Sequence, residues 1–310
     1  MAGVMSPSDI NALFTGARLE MQKVYDDYVP DFAGCYEEIP SAAAREGYVI
    51  TAAAGALERL SAAKQHMGSS FTKTLYVENG EPWAKFLEVT ESQVEDRTAL
   101  NYLSQQARDL GVQAKALDDD LIVTALQNGT SIDWVDGKKF FATDHPINPW
   151  GAVSGTWANV FTGTDLTPAN FEAKRSLLLS RKGWNNRTMK LRGEVQLWLP
   201  TDMEAKGLRI TEQEFSSDPG VTTAGGNTNI NYKKAVVKHM PSLNDEPSTW
   251  YIALVSPTAK PIGIQNKRSL RFESNDGTDS RMIDEIYRQK VSRRAEYVPL
   301  NAHLIIRCTA

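Results

Sequence analysis

The longest regular pattern of apolar side chains lies between residues 94 and 128. Apolar residues recur there at alternating intervals of three and four: Leu100, Leu103, Ala107, Leu110, Ala114, Leu117 and Leu121. This spacing places them along one face of an α-helix. The segment has no proline and one glycine. We predict one helix with a single apolar seam, on the order of 50 Å long at 1.5 Å per residue.

The chain before this helix has a different character. Residues 6–28 carry an apolar stripe with helical spacing and predict an N-terminal helix that Pro30 ends. Residues 33–93 contain an Ala-, Gly- and Ser-rich stretch with few large apolar side chains, which is poor material for a core of its own. Two partly alternating runs, 71–77 and 83–89, flank Asn79-Gly80. Since this dipeptide favours tight turns, we predict a hairpin between the two runs, within a long projecting arm.

The second half of the chain alternates helices with strands. Residues 167–183 and 201–210 predict helices, and the Val-, Leu- and Trp-containing run 194–200 predicts a buried strand. Further strands are predicted at 232–240, 249–256, 261–274, 286–300 and 303–309. Residues 216–231 consist almost entirely of turn-forming residues and predict a long loop. This order of elements indicates a mixed α+β fold.

Composition and charge exclude several classes of protein. The 310 residues carry a formal net charge of −4, which argues against specific binding to a nucleic-acid backbone. The two cysteines, Cys35 and Cys308, form no CxxC pair and are expected to be reduced thiols. The first residues lack the pattern of a signal peptide, and no apolar run approaches the roughly 18 residues of a membrane span. We therefore expect a soluble protein made in the cytoplasm.

The most enzyme-like stretch is GKKFFATDHP, which places Asp144 beside His145. A carboxylate next to an imidazole can orient a general base or hold a metal. A turn fixed by Asp144, with His145 as a neutral hydrogen-bonding group, is the favoured interpretation because Pro146 keeps His145 out of the helical region. A catalytic dyad and a pairing across a subunit contact are the alternatives.

Other signs of catalytic or cofactor chemistry are weak. The chain contains no phosphate-binding GxxxxGK[ST] loop, no GxSxG and no HExxH motif. Four histidines occur, and none is spaced with another as a ligand pair: His66, His145, His239 and His303. Asp118, Asp119 and Asp120 point in different directions on the long helix, so a solvated face is favoured over a metal site. We expect no cofactor and no metal.

Five stretches of the sequence occur in a fixed order: LFTG, LIVTALQNG, DGKKFFATDHP, LWLPTDMEAKGLRI and WYIALVSPTAKPIGIQNKRSLRF. This series resembles the Mu-like phage major head subunit, the gpT family of tailed-phage capsid proteins, over residues 10–300. The resemblance implies the Hong Kong 97-type capsid fold, an α+β fold. It implies the following segments: an N-terminal arm (1–44), an extended loop (45–93), a peripheral domain with a long spine helix (94–150), an axial domain (151–255) and a return to the peripheral domain (256–310).

The resemblance also implies a function and partners. Copies of the chain would assemble into hexamers and pentamers of an icosahedral head around double-stranded DNA, with only non-specific proximity to that DNA and no membrane contact. Scaffold, portal and decoration proteins are further candidate partners. An enzyme of unknown class using Asp144 and His145 is the alternative.

A shell implies contacts between subunits, and the arm supplies candidates. Tyr76, Trp83 and Phe86 are expected to be buried on a neighbouring copy. The basic side chains expected to meet Asp118, Asp119 and Asp120 of a neighbour are Arg45, Arg59, Lys64 and Lys85. The loop expected at the axis of each hexamer or pentamer contains Asp218, Pro219, Gly225, Gly226 and Asn227.

Overall fold

The computed structural model describes residues 7–51, 72–90, 92–93, 96, 99–149, 154–183, 188–189, 192–216, 227–274 and 286–310. The helices are α1 (Pro7–Asp27), α2 (Ala99–Gln127), α3 (Pro168–Leu179) and α4 (Thr201–Thr211), with short 3-10 helices at Asn128–Thr130, Pro241–Leu243 and Ala302–Leu304. The strands are β1 (Tyr36–Pro40), β2 (Arg45–Thr51), β3 (Thr72–Glu78), β4 (Trp83–Thr90), β5 (His145–Pro146), β6 (Thr156–Trp157), β7 (Val160–Phe161), β8 (Glu194–Leu199), β9 (Phe215–Ser216), β10 (Asn227–Thr228), β11 (Val236–His239), β12 (Thr249–Val255), β13 (Ile262–Ser274), β14 (Ile286–Pro299) and β15 (Ile305–Thr309). No helix in these ranges is long and apolar enough to cross a membrane.

The predicted long helix is α2, and its seam packs on a four-stranded sheet. The sheet has the order β1-β13-β14-β4, with β1 parallel to β13 and the other pairs antiparallel. Leu103, Ala107 and Leu110 of the seam are buried with Leu87 of β4 and Val291 of β14. The helix α1 packs against α2 and joins this cluster, so the predicted N-terminal helix is confirmed.

A five-stranded sheet forms the second half of the molecule. Its order is β11-β8-β12-β15-β7, and β12 lies between β8 and β15 with all seven of its residues buried. The helices α3 and α4 contribute to the same core through Phe171, Leu178, Met203 and Ile210. The last strand, β15, pairs with β12 and not with the four-stranded sheet, whereas β13 and β14 lie in the four-stranded sheet.

The projecting arm predicted within residues 33–93 contains a two-stranded ladder. The hairpin predicted around Asn79-Gly80 is wrong. The strand β3 pairs with β2, while β4 pairs with β14. Asn79 explains the difference, because its side-chain Nδ2 donates to Ser41 Oγ at 2.7 Å and to the Ala43 carbonyl at 2.9 Å. The Asn79-Gly80 segment therefore fastens the base of the ladder and leads the chain into the sheet.

The base of the arm is held by further polar contacts from the sheet. Tyr48 donates its hydroxyl hydrogen to Gln265 Oε1 at 2.7 Å. Arg294 donates through Nε to the Gly80 carbonyl at 2.8 Å and through Nη2 to the Asn79 carbonyl at 3.1 Å. The ladder β2–β3 is thus anchored at one end by β13 and β14, although it adds little to the apolar core.

The crossing of α1 and α2 depends on Gly111. A Cβ atom at this position would lie 2.8 Å from the Met21 carbonyl oxygen and 3.1 Å from Val24 Cβ. The backbone of α1 therefore approaches α2 at a point where only glycine fits.

We expect Gly111→Ala to lower the free energy of unfolding by about 1 kcal/mol or more, because α1 must move away from α2. The matched control is Gly16→Ala on the exposed side of α1, where an added Cβ has no neighbour within 4 Å. That change should raise stability by up to about 1 kcal/mol through helix propensity. Urea denaturation followed by circular dichroism measures both, and equal stabilisation by the two changes would contradict the close crossing.

Candidate functional site

The first candidate site is a buried ion-pair cluster on α2. Asp118 is fully buried, and Arg293 Nη2 of β14 lies 2.7 Å from its Oδ1. Its Oδ2 accepts a hydrogen bond from the Tyr36 hydroxyl at 3.1 Å and lies 3.3 Å from Lys115 Nζ. Arg293 also donates to Asn266 Oδ1 of β13 at 2.7 Å. One carboxylate therefore connects α2 to three strands of the sheet.

Asp119 connects α2 to the segment that follows α1. Its carboxylate accepts hydrogen bonds from the backbone N–H groups of Asp31 at 2.9 Å and Phe32 at 3.1 Å. The Asp31 carboxylate in turn accepts from the Ser242 N–H at 3.0 Å and from the Ser242 hydroxyl at 2.6 Å. Burial raises the pKa of Asp119 to about 6, although the two backbone hydrogen bonds act in the opposite direction.

The prediction that the three consecutive acids form a solvated helix face is therefore wrong for Asp118 and Asp119. Both carboxylates are buried and paired within the subunit, so neither is available to a neighbouring copy. Asp120 is exposed, as predicted. It borders a polar cavity with Ser242 and Asp245.

The second candidate site surrounds His145. Its Nδ1 lies 2.7 Å from Asp136 Oδ2, and its Nε2 lies 3.2 Å from Asn159 Oδ1. Asn159 is fixed in orientation because its Oδ1 accepts from the Ala142 N–H and its Nδ2 donates to the Phe140 carbonyl. Both ring nitrogens thus face side-chain oxygen atoms that the fold holds in place.

Asp144 is not the partner of His145, so the catalytic-dyad alternative is wrong. Asp144 is exposed and pairs with Lys138, which lowers the pKa of its carboxyl. His145 is fully buried and begins β5, where it is paired with Trp157. The predicted turn is an extended strand here, in keeping with the restriction that Pro146 places on the preceding residue.

Aromatic rings close the His145 site to solvent. Trp157 stacks on His145 with ring centroids 4.1 Å apart, and Trp134 meets His145 edge-on at 5.6 Å. His303 stacks on the same Trp157 at 4.3 Å. The His145 imidazole is therefore fully buried among aromatic rings.

The third candidate site is the exposed aromatic surface of the arm and β4. Tyr76, Trp83 and Phe86 remain 58%, 51% and 51% exposed in the single chain. Arg45 lies over the Tyr76 ring at 4.6 Å, and Lys85 donates to Gln113 of α2 at 3.3 Å. Exposed apolar side chains of this size are typical of surfaces that become buried on association.

A groove of about 400 Å³ runs between β4 and α2 beside this surface. Trp83 and Lys85 form its wall, and Leu110, Ala114 and Leu117 of α2 form an apolar floor. Within the described ranges, β4 pairs on one side only, with β14. The exposed aromatics therefore accompany an open sheet edge.

Several predicted contact residues lie outside the residues that the structure describes: Arg59, Lys64, Asp218, Pro219, Gly225 and Gly226. Asn227 is described and begins β10, which pairs with β9 at the base of the predicted loop. Phe215 directly precedes the predicted loop 216–231, Ile230 lies near its end, and both side chains are exposed.

Among the described residues, no group of three or more His, Cys, Asp or Glu side chains is placed to hold a metal ion. Cys35 and Cys308 are free thiols, and burial raises their pKa values to about 11 and about 12. Such thiols are poor nucleophiles at neutral pH.

Sequence reasoning missed the partners that define the two buried clusters. In the first cluster, Arg293 pairs with Asp118 and also donates to Asn266. In the second cluster, Asp136 and Asn159 contact the two ring nitrogens of His145. The spacing of Trp134 and Asp136 before His145 offered a weak signal for a local cluster. For Arg293 the sequence offers no signal except an arginine on the predicted strand 286–300.

Comparisons with known proteins agree on one class. The family model described as "Mu-like prophage major head subunit gpT" matches residues 10–167. A search of curated proteins returned no match.

Solved structures with a similar fold come from viral and virus-like shells. The chain is 18% identical to a chain of the procapsid of bacteriophage JBD30, with a TM-score of 0.57, covering 99% of this chain and 76% of that one. For the capsid of the cyanophage P-SCSP1u, identity is 10%, the TM-score is 0.59, and the coverages are 90% and 87%. For a virus-like particle from Pyrococcus furiosus, identity is 11%, the TM-score is 0.51, and the coverages are 95% and 98%. These similarities confirm the predicted α+β capsid fold.

We expect Asp118→Asn to lower the free energy of unfolding by about 3 kcal/mol, because it leaves the Arg293 guanidinium buried without its counter-charge. Asp120→Asn on the same helix is the matched control and should change stability by less than about 0.5 kcal/mol, as exposed substitutions usually do. Urea denaturation of the unassembled subunit distinguishes them. Equal effects would show that the Asp118–Arg293 pair contributes nothing specific.

The raised pKa of Asp119 has a defined consequence for stability. Because its folded pKa of about 6 exceeds the ordinary aspartate value of 3.8, the folded state holds the proton more tightly. Its contribution to stability is full below pH 4 and is lost as the pH rises through 6.

We therefore compare the free energies of unfolding of the wild type and of Asp119→Asn at each pH. The difference, wild type minus variant, should fall by up to about 3 kcal/mol between pH 4 and pH 7. The variant cannot ionise, so subtraction removes the other titrating groups. A difference in unfolding free energy that stays constant across this range would contradict the assignment.

Proposed function

The chain belongs to the Mu-like prophage major head subunit gpT family, and we propose that its copies associate as hexamers and pentamers into an icosahedral phage head that encloses double-stranded DNA. It is thus a major capsid protein of a tailed phage, with the capsid fold that the similar shell structures share. The family match over residues 10–167 is the observation that carries this function.

The physical properties of the subunit support self-association. Among the described residues, Tyr76 of β3 is exposed, and β4 leaves Trp83 and Phe86 half exposed. Burying such a side chain contributes roughly 1.5–3 kcal/mol. Contacts of this kind, repeated around a ring, give the head-to-tail interfaces from which closed rings are built.

We place the contacts between copies at two regions. The first consists of Tyr76, Trp83 and Phe86, together with Arg45 and Lys85, whose acidic partner on a neighbour is the exposed Asp120. Arg59 and Lys64 of the same arm belong to this proposal by sequence alone. The second region is the loop that contains Asp218, Pro219, Gly225, Gly226 and Asn227, which we place at the axis of each ring.

The protein has a structural role and no catalytic one in this proposal. The buried His145, bound to Asp136 and Asn159 and separated from Asp144, supports this view. The chain would be made in the bacterial cytoplasm and become part of the virion. Scaffold, portal and decoration proteins would then be partners of the shell, and the negative net charge suits a wall that does not hold DNA tightly.

Negative-stain electron microscopy and sedimentation of the purified chain test the function. We expect rings, closed shells or sheets of subunits that sediment far faster than one 34.3 kDa chain. A stable monomer at all accessible concentrations, with the arm packed on its own trunk, would contradict self-assembly.

We expect the double change Trp83→Ser and Phe86→Ser to weaken assembly strongly while leaving the subunit folded. Each lost burial costs roughly 1.5 kcal/mol, so the concentration required for assembly should rise by about 100-fold. Light scattering measures that concentration, and circular dichroism checks the fold. Lys139→Ser, at an exposed position away from this surface, is the control; an unchanged assembly threshold in the double variant would remove these aromatics from the interface.

A further inference from the structure

The groove between β4 and α2 continues toward the start of α2. A smaller cavity of about 150 Å³ adjoins it, and the two share Lys85, Leu110 and Gln113 as lining residues. Along α2 the combined groove extends from Gln106 to Asp120. This distance is about 21 Å at 1.5 Å per residue, which matches about six residues of extended chain.

The edge of β4 along this groove carries unused main-chain groups. Within the described ranges β4 pairs with β14 alone, and residues 83–89 make no other backbone–backbone hydrogen bond. Leu87 is buried against α2, so the alternation of a strand places Trp83 on the same face and Phe86 on the opposite one. A strand added to this edge would therefore meet one exposed aromatic ring on each of its faces.

Two polar atoms on residues that line the groove have no partner. Arg293 is a lining residue and is 5% exposed. Among the described residues its Nη2 contacts Asp118 and Asn266, whereas its Nη1 has no hydrogen-bond partner. Toward the other end, the Oε1 atom of Gln106 is buried and also lacks a partner in the described ranges. Buried polar groups without a partner are uncommon in native proteins, so these two atoms point to a missing ligand.

The kind of ligand follows from these groups. The charge of Arg293 is already balanced by Asp118, so a neutral acceptor satisfies its Nη1 atom. Gln106 Oε1 needs a donor, and the edge of β4 needs donors and acceptors in alternation. A peptide backbone supplies both without adding charge. An extended segment of polypeptide therefore fits the groove better than a charged small molecule does.

We propose that the groove receives an extended segment of a second copy of this chain, which pairs with the open edge of β4 and lies on Leu110, Ala114 and Leu117. The inference rests on the proposed function, because every subunit of a shell repeats the groove and only the chain itself is present in equal number. It adds to that function a main-chain contact between strands, in which backbone hydrogen bonds supply affinity and the apolar floor selects the side chains.

Photo-cross-linking tests this contact in assembled particles. Gln113, which is exposed and lines both parts of the groove, is replaced by p-benzoylphenylalanine. Gln105 is the matched control, because it is exposed on α2 and lines neither part. Unlabelled and isotope-labelled subunits are mixed before assembly, so that a cross-linked pair of peptides carrying both isotopes identifies a contact between copies.

We expect the probe at Gln113 to be joined to one contiguous segment of another copy, at about 10-fold the yield of the probe at Gln105, because a bound segment is held at high effective concentration beside it. Particles that form normally but give no such peptides, or join Gln113 only to its own subunit, would overturn this contact and leave the shell function intact. Failure to form particles at all would remove the shell function and this contact with it.

Filling the groove provides an independent measurement. Ala114→Trp places an indole on the floor of the groove, and Gln105→Trp places one on the exposed face of α2 as the control. We expect Ala114→Trp to raise the concentration required for assembly by about 10-fold or more relative to Gln105→Trp. Circular dichroism and thermal unfolding check that each subunit is folded. Equal assembly thresholds in two folded variants would overturn the proposal, and if Ala114→Trp fails to fold, the cross-linking result decides.

Discussion

The burial of one face of α2 is the interaction on which the rest of this subunit depends. The seam that begins at Leu103 is covered by α1, β4 and β14, and its later part joins the core beneath Phe140 and Tyr251. The helix has 29 residues and spans about 44 Å. Its apolar face therefore packs against residues of both sheets. It fixes where Asp118 and Asp119 lie, and through them the positions of β1 and of the segment after α1.

The elements that the sequence predicted well are those whose signal is local. The seam of α2, the helix at 201–211 and the buried strands at 249–255 and 286–299 follow from spacing and side-chain type within one window. The capsid fold followed from the order of several stretches. The hairpin at Asn79-Gly80 failed because a turn-forming dipeptide does not determine which strands pair, and here the Asn79 amide binds Ser41 and Ala43 instead.

The acids of α2 show a second reason for failure. Three aspartates in a row are usually solvated, and only the partner side chains reveal otherwise. Arg293 and Tyr36 are remote from Asp118 in sequence. Their strands, β14 and β1, are brought together in the folded chain because both pair with β13. The same holds for His145, whose neighbour in sequence is Asp144 but whose partner in space is Asp136. Contacts between distant residues decide whether a charged group is buried, and a single sequence does not contain them.

The position of β14 also determines when a growing chain can complete its core. The ribosome releases α1 and α2 long before residues 286–299 exist to cover them. During that interval the apolar face of α2 and the unpaired β4 are open to other nascent chains on the same messenger RNA. Until β14 is synthesised, β4 lacks the strand with which it pairs in the folded subunit. Synthesis of β14 is therefore the step that completes the core between α2 and the four-stranded sheet.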